Sequence, residues 1–434
     1  MEIIPVGGYK EIGRNCVIVK VGNESVMLDL GLLMDNYIQY TESDSQVDLS
    51  PKKLMEINAV PNINTIQDIK STLKAICISH SHLDHVGAVP FLGSKFSCPV
   101  HAAPYTIEVL KTLAGDEQIH LDNELVAHKL NSRFRVSENI EVEFINTTHS
   151  VPHTVIIALH TKEGIVLYAN DFKFDNAPLI GAKPNFERLS QLKVKCLIID
   201  SLYSLSYRKT PSESIARELL RDVLFGTHTE GKAVIVTTFS SHLARLKSIV
   251  EIGQKMNRKV VLLGRSLSKY VGAGERCGLV DFAKSVEMVK YGSQVKKYLK
   301  KIVHPEKYLF VVTGHQGEPG AVLCKMVNGA FTFKRGDEVI FSCNIIPVLE
   351  NIQNREKLEA ELKKQHVRIF SDIHVSGHAS REDHRDLINL VQPEHIIPTH
   401  GQLPMLEGLK DLAMEMGWRE NRIHLLNNNE RIRV

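Results

Sequence analysis

At 434 residues the chain is long enough for two or three domains, and its 43 % hydrophobic, 24 % charged composition is that of an ordinary globular protein. No apolar run reaches the roughly 18 residues that a bilayer span needs, and the start, MEIIPVGGYKEIG, lacks the basic-then-apolar layout of a signal peptide. These features exclude a helical membrane span and predict a cytoplasmic protein with no membrane partner.

Seven cysteines are scattered without a C-x-x-C pair, which predicts reduced, mostly buried thiols and argues against a thiolate metal site. The net charge of +3 hides an asymmetry. Residues 208–345 carry 23 Lys and Arg against 12 Asp and Glu, whereas the rest of the chain carries 30 against 38. Either this is chance and solvated helix faces, or the basic segment faces a polyanion.

In chain order, 16–20 and 25–30 read as neighbouring strands across a Gly-Asn turn. Residues 36–66 read as a long polar loop with one short helix. Strands are then expected at 73–79, 140–146, 155–160, 165–168 and 194–200. From about residue 208 the rhythm becomes strand, helix, strand, with apolar strands at 232–239, 258–264, 308–314 and 337–343. That alternation predicts a mainly parallel sheet covered by helices. A polar-faced helix after 344, the short strand VRIF, a helix from about 381 and the strand HIIPTH follow.

The chemistry is concentrated at the end of the strand 73–79, in ISHSHLDHVGAV. His80 and His82 are two residues apart at a strand end, so their side chains point the same way and can share one metal. Asp84 and His85 follow after a turn. Further ligand types recur, each just past a strand: His149 in NTTHSVPHT, Asp171 in LYANDFKFD and His400 in HIIPTHG. Imidazole with carboxylate and no thiolate suits Zn²⁺, with Mn²⁺ as the alternative. Asp171 can bridge two such divalent ions, and a pair of ions suits phosphoryl chemistry. Asp29, in MLDLG, is expected to orient a ligand rather than to bind metal.

This order of motifs resembles the metallo-β-lactamase superfamily, and the long insertion between Asp171 and His400 resembles the β-CASP nucleases within it. Asp200 in LIIDSLYS and His378 in HVSGHASREDH stand where that group carries its own acid and histidine. VGGYKEIGRN, NDFKFD, TGHQGEPGAVL, VSGHASREDH and IIPTHG together are similar to the ribonuclease J family, in its shorter archaeal form. The resemblance covers nearly the whole chain, with departures at AND for the more usual TGD and at Leu202 for a common threonine.

The resemblance implies an α/β fold: a metallo-β-lactamase αβ/βα sandwich with an inserted β-CASP α/β domain. Its parts would be residues 1–207, the insertion 208–345, and 346–434. It implies a two-metal 5′ to 3′ exoribonuclease acting on single-stranded RNA with a preference for a 5′-monophosphate, and a homodimer. A β-CASP endoribonuclease of the 3′-end-processing type and a DNA nuclease are the alternatives; an RNA-binding scaffold with a dead site would have lost ligands.

Asp84, His378 and Asp200 are the expected catalytic residues, with His378 touching the scissile phosphate or donating a proton to the leaving 3′ oxygen. Ser376, Gly377 and Ser380 are expected to hold the 5′-terminal phosphate at a helix start, unless Ser380 merely caps that helix. His315, Gln316 and Gly317 are the second phosphate candidates, and the loop reads equally as a glycine turn. The run of lysines at 296–301 reads either as a solvated face or as a guide for RNA.

Overall fold

The computed structural model describes residues 1–43, 47–346 and 349–434. The chain divides into two compact units. One comprises 1–176, 181–210 and 377–434, and the other 177–180 and 211–376.

The first unit is built on two mixed sheets. One runs in the order Ile432–Arg433, Glu2–Gly7, Cys16–Val21, Glu24–Leu28, Leu73–Ile78, Val100–Ala102 and Leu125–Ala127. The other runs His395–Thr399, Val194–Asp200, Gly164–Ala169, Val155–Thr161, Glu141–Asn146 and Ser132–Arg135. Successive strand residues face opposite ways, and the buried sequence uses both faces. Along Leu73–Ile78, Ile76 and Ile78 join one apolar cluster while Ala75 and Cys77 join another, shared with Phe144, Ile157 and Ile198 of the second sheet. Along Val194–Asp200, Leu197 and Ile199 turn outward to pack against Leu387, Ile388, Leu409 and Leu412 of the helices Arg381–Val391 and Leu403–Glu415. The layers are therefore helix, sheet, sheet, helix, as expected for an αβ/βα sandwich.

Strand direction places the functional residues. Glu24–Leu28 runs parallel to Leu73–Ile78, and Val194–Asp200 runs parallel to both Gly164–Ala169 and His395–Thr399. Parallel strands bring their carboxyl ends to one edge, where α/β sheets generally bind ligands. The segment 36–66, expected as a polar loop with one short helix, carries the helices Met34–Ser43 and Pro51–Glu56; Ser50 caps the second by accepting from the Lys53 N–H.

The second unit holds one sheet, ordered Glu287–Val289, Lys259–Leu263, Tyr308–Val312, Val234–Thr237, Glu338–Phe341 and Arg368–Phe370, with every pair parallel. Its central strands are apolar without alternation because helices cover both faces. Arg245 is fully buried there, forked onto Glu213 and donating to the Ser342 and Ile373 carbonyls. The inserted segment was expected to end at 345. The unit instead continues to Ser376, because Arg368–Phe370 pairs with Glu338–Phe341 and Leu358 and Leu362 of the preceding helix enter the same core. A strand order that uses 368–370 cannot be read from the local pattern VRIF.

Candidate metal centre

Each expected ligand lies just beyond a strand of the first unit. His80, His82, Asp84 and His85 follow Leu73–Ile78, His149 follows Glu141–Asn146, Asp171 follows Gly164–Ala169, and His400 follows His395–Thr399. They form two groups, His80, His82, His149 and Asp171 in one, Asp84, His85, Asp171 and His400 in the other, with the donor atoms of each group within 4.8 Å of one another. Asp171 belongs to both. Its Oδ2 lies 3.4 Å from His80 Nε2 and from His149 Nε2, while its Oδ1 lies 3.2 Å from His85 Nε2 and 3.8 Å from His400 Nε2.

The far side of each ring is tethered, which decides the nitrogen it offers. Ser79 Oγ is bonded to Asp29 Oδ2 (2.8 Å) and to His80 Nδ1 (3.0 Å). His82 Nε2 faces Ser150 Oγ at 3.3 Å, and His149 Nδ1–H donates to the Gly377 carbonyl at 2.7 Å. His85 Nδ1–H donates to Asp29 Oδ2 at 2.7 Å. Asp29 also accepts from the Ser79 N–H (2.7 Å) and the Tyr168 hydroxyl (2.8 Å), and it belongs to neither group.

The remaining ring nitrogens converge. His82 Nδ1 lies 3.1 Å from His80 Nε2 and 3.0 Å from His149 Nε2. With their outer nitrogens carrying hydrogens, these atoms present lone pairs to one another, and lone pairs at such distances repel unless a cation lies among them. Asp171 Oδ1 is buried without a hydrogen-bond partner among the described residues, although a buried carboxylate oxygen normally has one. The donor set therefore fits divalent metal. Burial, helped by the His80 imidazole, pushes His82 down to about 3, and burial likewise holds His149 well below the usual range, so both rings favour the neutral form. Burial acts against charge on His85 too, but the carboxylates of Asp171, Asp84 and Asp29 outweigh it and hold that ring up.

Beside the two groups, His378 Nδ1–H donates to Asp200 Oδ2 at 2.9 Å, and its Nε2 lies 3.6 Å from Asp171 Oδ2. The Asp200 carboxylate is fixed in turn by the Leu202 N–H at 2.8 Å. The His378 ring stacks at 7° on that of His400, with centroids 5.6 Å apart. Burial opposes protonation of His378, yet the Asp171 and Asp200 carboxylates together lift it to about 9.

Three family models match the chain: the metallo-beta-lactamase superfamily over residues 10–198, the ribonuclease J beta-CASP domain over 231–358, and a Zn-dependent metallo-hydrolase RNA specificity domain over 366–423. A protein named Ribonuclease J from Methanocaldococcus jannaschii is 40 % identical across 99 % of this chain and 98 % of its own length. The chain belongs to the ribonuclease J family. A second Ribonuclease J, from Pyrococcus abyssi, is also 40 % identical, over 96 % of this chain and 93 % of its own. Ribonuclease J 1 of Streptococcus pyogenes is 29 % identical over 99 % of this chain and 73 % of its own length. A solved structure from Enterococcus faecalis V583, described as a protein of unknown function, covers 99 % of both chains with a TM-score of 0.66 at 16 % identity, a likeness of fold.

Within this ribonuclease J family chain, most of the expected phosphate contacts are engaged otherwise. The Ser380 side chain is buried, 2.9 Å from Thr210 Oγ1. The Ser380 N–H donates to Asp383 Oδ2 (3.1 Å), the Arg381 N–H to the Ser206 carbonyl (3.1 Å) and the Glu382 N–H to the Arg208 carbonyl (3.2 Å). The helix start thus has its first amides filled by the 206–208 segment, and the argument from free N–H groups does not hold there. Gly377 packs against the His149 ring instead: a Cβ at that position would stand 2.9 Å from His149 Cε1. Ser376 is partly exposed. In the second unit, the Gln316 side chain bonds the Asn344 carbonyl and the Ile346 N–H, both at 3.0 Å, and Gly317, at φ +82, lies against Asn354. The His315 ring meets Phe239 edge to face, with centroids 4.4 Å apart. Gln316 and Gly317 thus shape their own loop.

Two residues escaped the sequence reading. Thr148 bridges the ligand loops: its Oγ1 donates to the Lys173 carbonyl (2.6 Å) and its own carbonyl accepts the Lys173 N–H (2.8 Å). Asn15 lies against His85 and His400. Neither is a ligand type. Asn15 closes VGGYKEIGRN, one of the stretches that carry the family resemblance, but nothing in that stretch points to its partners.

Proposed function

We propose that this chain is a metal-dependent ribonuclease that degrades single-stranded RNA from the 5′ end, with a preference for a 5′-monophosphate. The observation that carries the reading is a single carboxylate, Asp171, shared between two ligand groups beside the His378–Asp200 pair. Family membership supplies RNA as the substrate class. Two divalent cations, Zn²⁺ or alternatively Mn²⁺ given nitrogen and carboxylate donors without sulfur, would be held by His80, His82, His149 and Asp171 and by Asp84, His85, Asp171 and His400. Such a pair supplies Lewis-acid activation of water and compensates phosphate charge.

The chain's own residues supply the rest. Asp200 holds the His378 ring by Nδ1, so Nε2 faces the ligand cluster. From there it donates a proton to the leaving 3′ oxygen. Asp84 is the more open of the two ligand carboxylates, its side chain 23 % exposed against 1 % for Asp171, and it lines the approach to the centre.

The decisive experiment gives the protein RNAs bearing a 5′-triphosphate, a 5′-monophosphate or a 5′-hydroxyl and sizes the products. Mononucleotides released from the start, fastest from the monophosphate, are expected. Internal fragments alone would reject 5′ to 3′ degradation in favour of an endonuclease, and equal cleavage of DNA would reject RNA selectivity. We further propose a cytoplasmic homodimer. The seven free cysteines, six of them buried, agree with a reducing compartment, and native mass spectrometry tests the dimer.

A further inference from the structure

The loop between Glu2–Gly7 and Cys16–Val21 ends at Asn15, which is buried. Its backbone is held on both sides: the Asn15 N–H donates to the Asp84 carbonyl (2.9 Å), and the Asn15 carbonyl accepts the Gly31 N–H (3.1 Å). Its carboxamide lies among three groups of the second ligand set. Nδ2 is 3.1 Å from the Asp84 carbonyl oxygen and 3.0 Å from His85 Nε2, and Oδ1 is 3.1 Å from His400 Nδ1.

Nδ2 is also 2.9 Å from His400 Nδ1, so the amide could be read either way round. The Asp84 carbonyl orients it. A carbonyl oxygen only accepts, so the amide nitrogen faces it, and the amide oxygen is then the group that can accept from His400 Nδ1. With a hydrogen on Nδ1 accepted by that oxygen, the His400 Nε2 lone pair lies toward Asp171 Oδ1 and Asp84 Oδ2, at 3.8 and 3.9 Å.

The same loop holds the His400 backbone. The Gly8 carbonyl accepts the His400 N–H (2.8 Å) and the Thr399 hydroxyl (3.1 Å). Gly8 sits at φ +89, and a Cβ there would come within 2.5 Å of Asn15 Oδ1, so the loop closes on the carboxamide only with glycine at that position.

We infer that Asn15 is a positioning residue for the second cation, selecting the His400 tautomer and joining that ring to the Asp84 turn. This rests on the two-cation reading above. Groups that orient a ligating histidine typically contribute about 10–100-fold in metal affinity.

The test uses Asn15→Leu, Asn15→Asp and wild type. Each is loaded with Zn²⁺ and dialysed against a competing chelator; bound metal is then counted, and the His400 tautomer is read from imidazole ¹⁵N shifts. Asn15→Leu should lose one cation per chain, with the second affinity down about 10–100-fold and the first unchanged. Asn15→Asp keeps an acceptor for His400 Nδ1–H and should restore both the tautomer and the second cation to within a few-fold. Asn15→Ala replaces the leucine variant if that does not fold.

Two equally tight cations in the apolar variant, or an aspartate variant as weak as the apolar one, would overturn the role of Asn15. A wild-type chain that binds fewer than two cations would instead overturn the two-cation reading itself.

Discussion

Replacing Asp29 by asparagine separates its two tasks. The residue is fully buried and uses four contacts: Oδ1 accepts the Ser79 N–H, and Oδ2 accepts from Ser79 Oγ, His85 Nδ1 and the Tyr168 hydroxyl. An amide turns one oxygen into a donor. If the NH₂ takes the Oδ1 place, it meets the Ser79 N–H and leaves a buried donor unsatisfied, which costs about 1–3 kcal/mol. If it takes the Oδ2 place, His85 must accept at Nδ1 and carry its hydrogen on Nε2. That hydrogen would point at Asp171 and Asp84, 3.2 and 3.5 Å away, in place of the lone pair a cation needs. Asp29→Ala leaves every donor unanswered and should cost about 3–5 kcal/mol, as removal of one partner from a buried charged pair does. Urea unfolding of chelator-stripped protein measures the first effect, and metal retained after dialysis measures the second. Asp29→Asn is expected to lose about 1–3 kcal/mol of stability, to bind the second cation about 10–100-fold more weakly, or to show both losses. Wild-type stability together with two retained cations would refute the assignment of Asp29.

Asp171→Ala should abolish RNA cleavage and remove both cations while circular dichroism stays native; undiminished cleavage would end the bridging role, and His82→Ala should lose only the first group's cation. His378→Ala should keep both cations and slow single-turnover cleavage by about 10²–10⁴-fold; loss of metal instead would make His378 a ligand. Gly377→Ala puts a methyl 2.8 Å from Ser150 Cβ and 2.9 Å from His149 Cε1, so it should weaken the first cation without touching the second, read by chelator competition. Ser380→Ala removes a buried hydroxyl paired with Thr210 and should cost about 1 kcal/mol in urea unfolding, with the monophosphate-to-hydroxyl rate ratio unchanged; a narrowed ratio would return the phosphate to this helix start.

The cluster of histidines and aspartates was legible because its chemistry is local: these residues stand just past apolar runs, and those runs are strands whether or not their neighbours are known. The basic βαβ rhythm after 208 was legible for the same reason. What failed was whatever depends on a distant segment. The start of the helix Arg381–Val391 carries small residues and looks open to an anion, but the chain at 206–208 fills its amides. VRIF reads as a strand without saying which sheet it joins. Asn15 and His400 are far apart in the chain, and an asparagine reveals nothing of a histidine until a fold sets them 3.1 Å apart.

The route of the chain also bears on how the enzyme is made. His80 to Asp171 leave the ribosome first, and His400 arrives about 230 residues after Asp171, once the whole inserted unit has been threaded. At 5–20 residues per second that is a delay of roughly 10–50 s. During it the strand Val194–Asp200 lacks its neighbour His395–Thr399, and the second group lacks a ligand. A nascent nuclease in contact with its own messenger would therefore have an incomplete second group, and the order of synthesis itself would delay its completion until the inserted unit has been made.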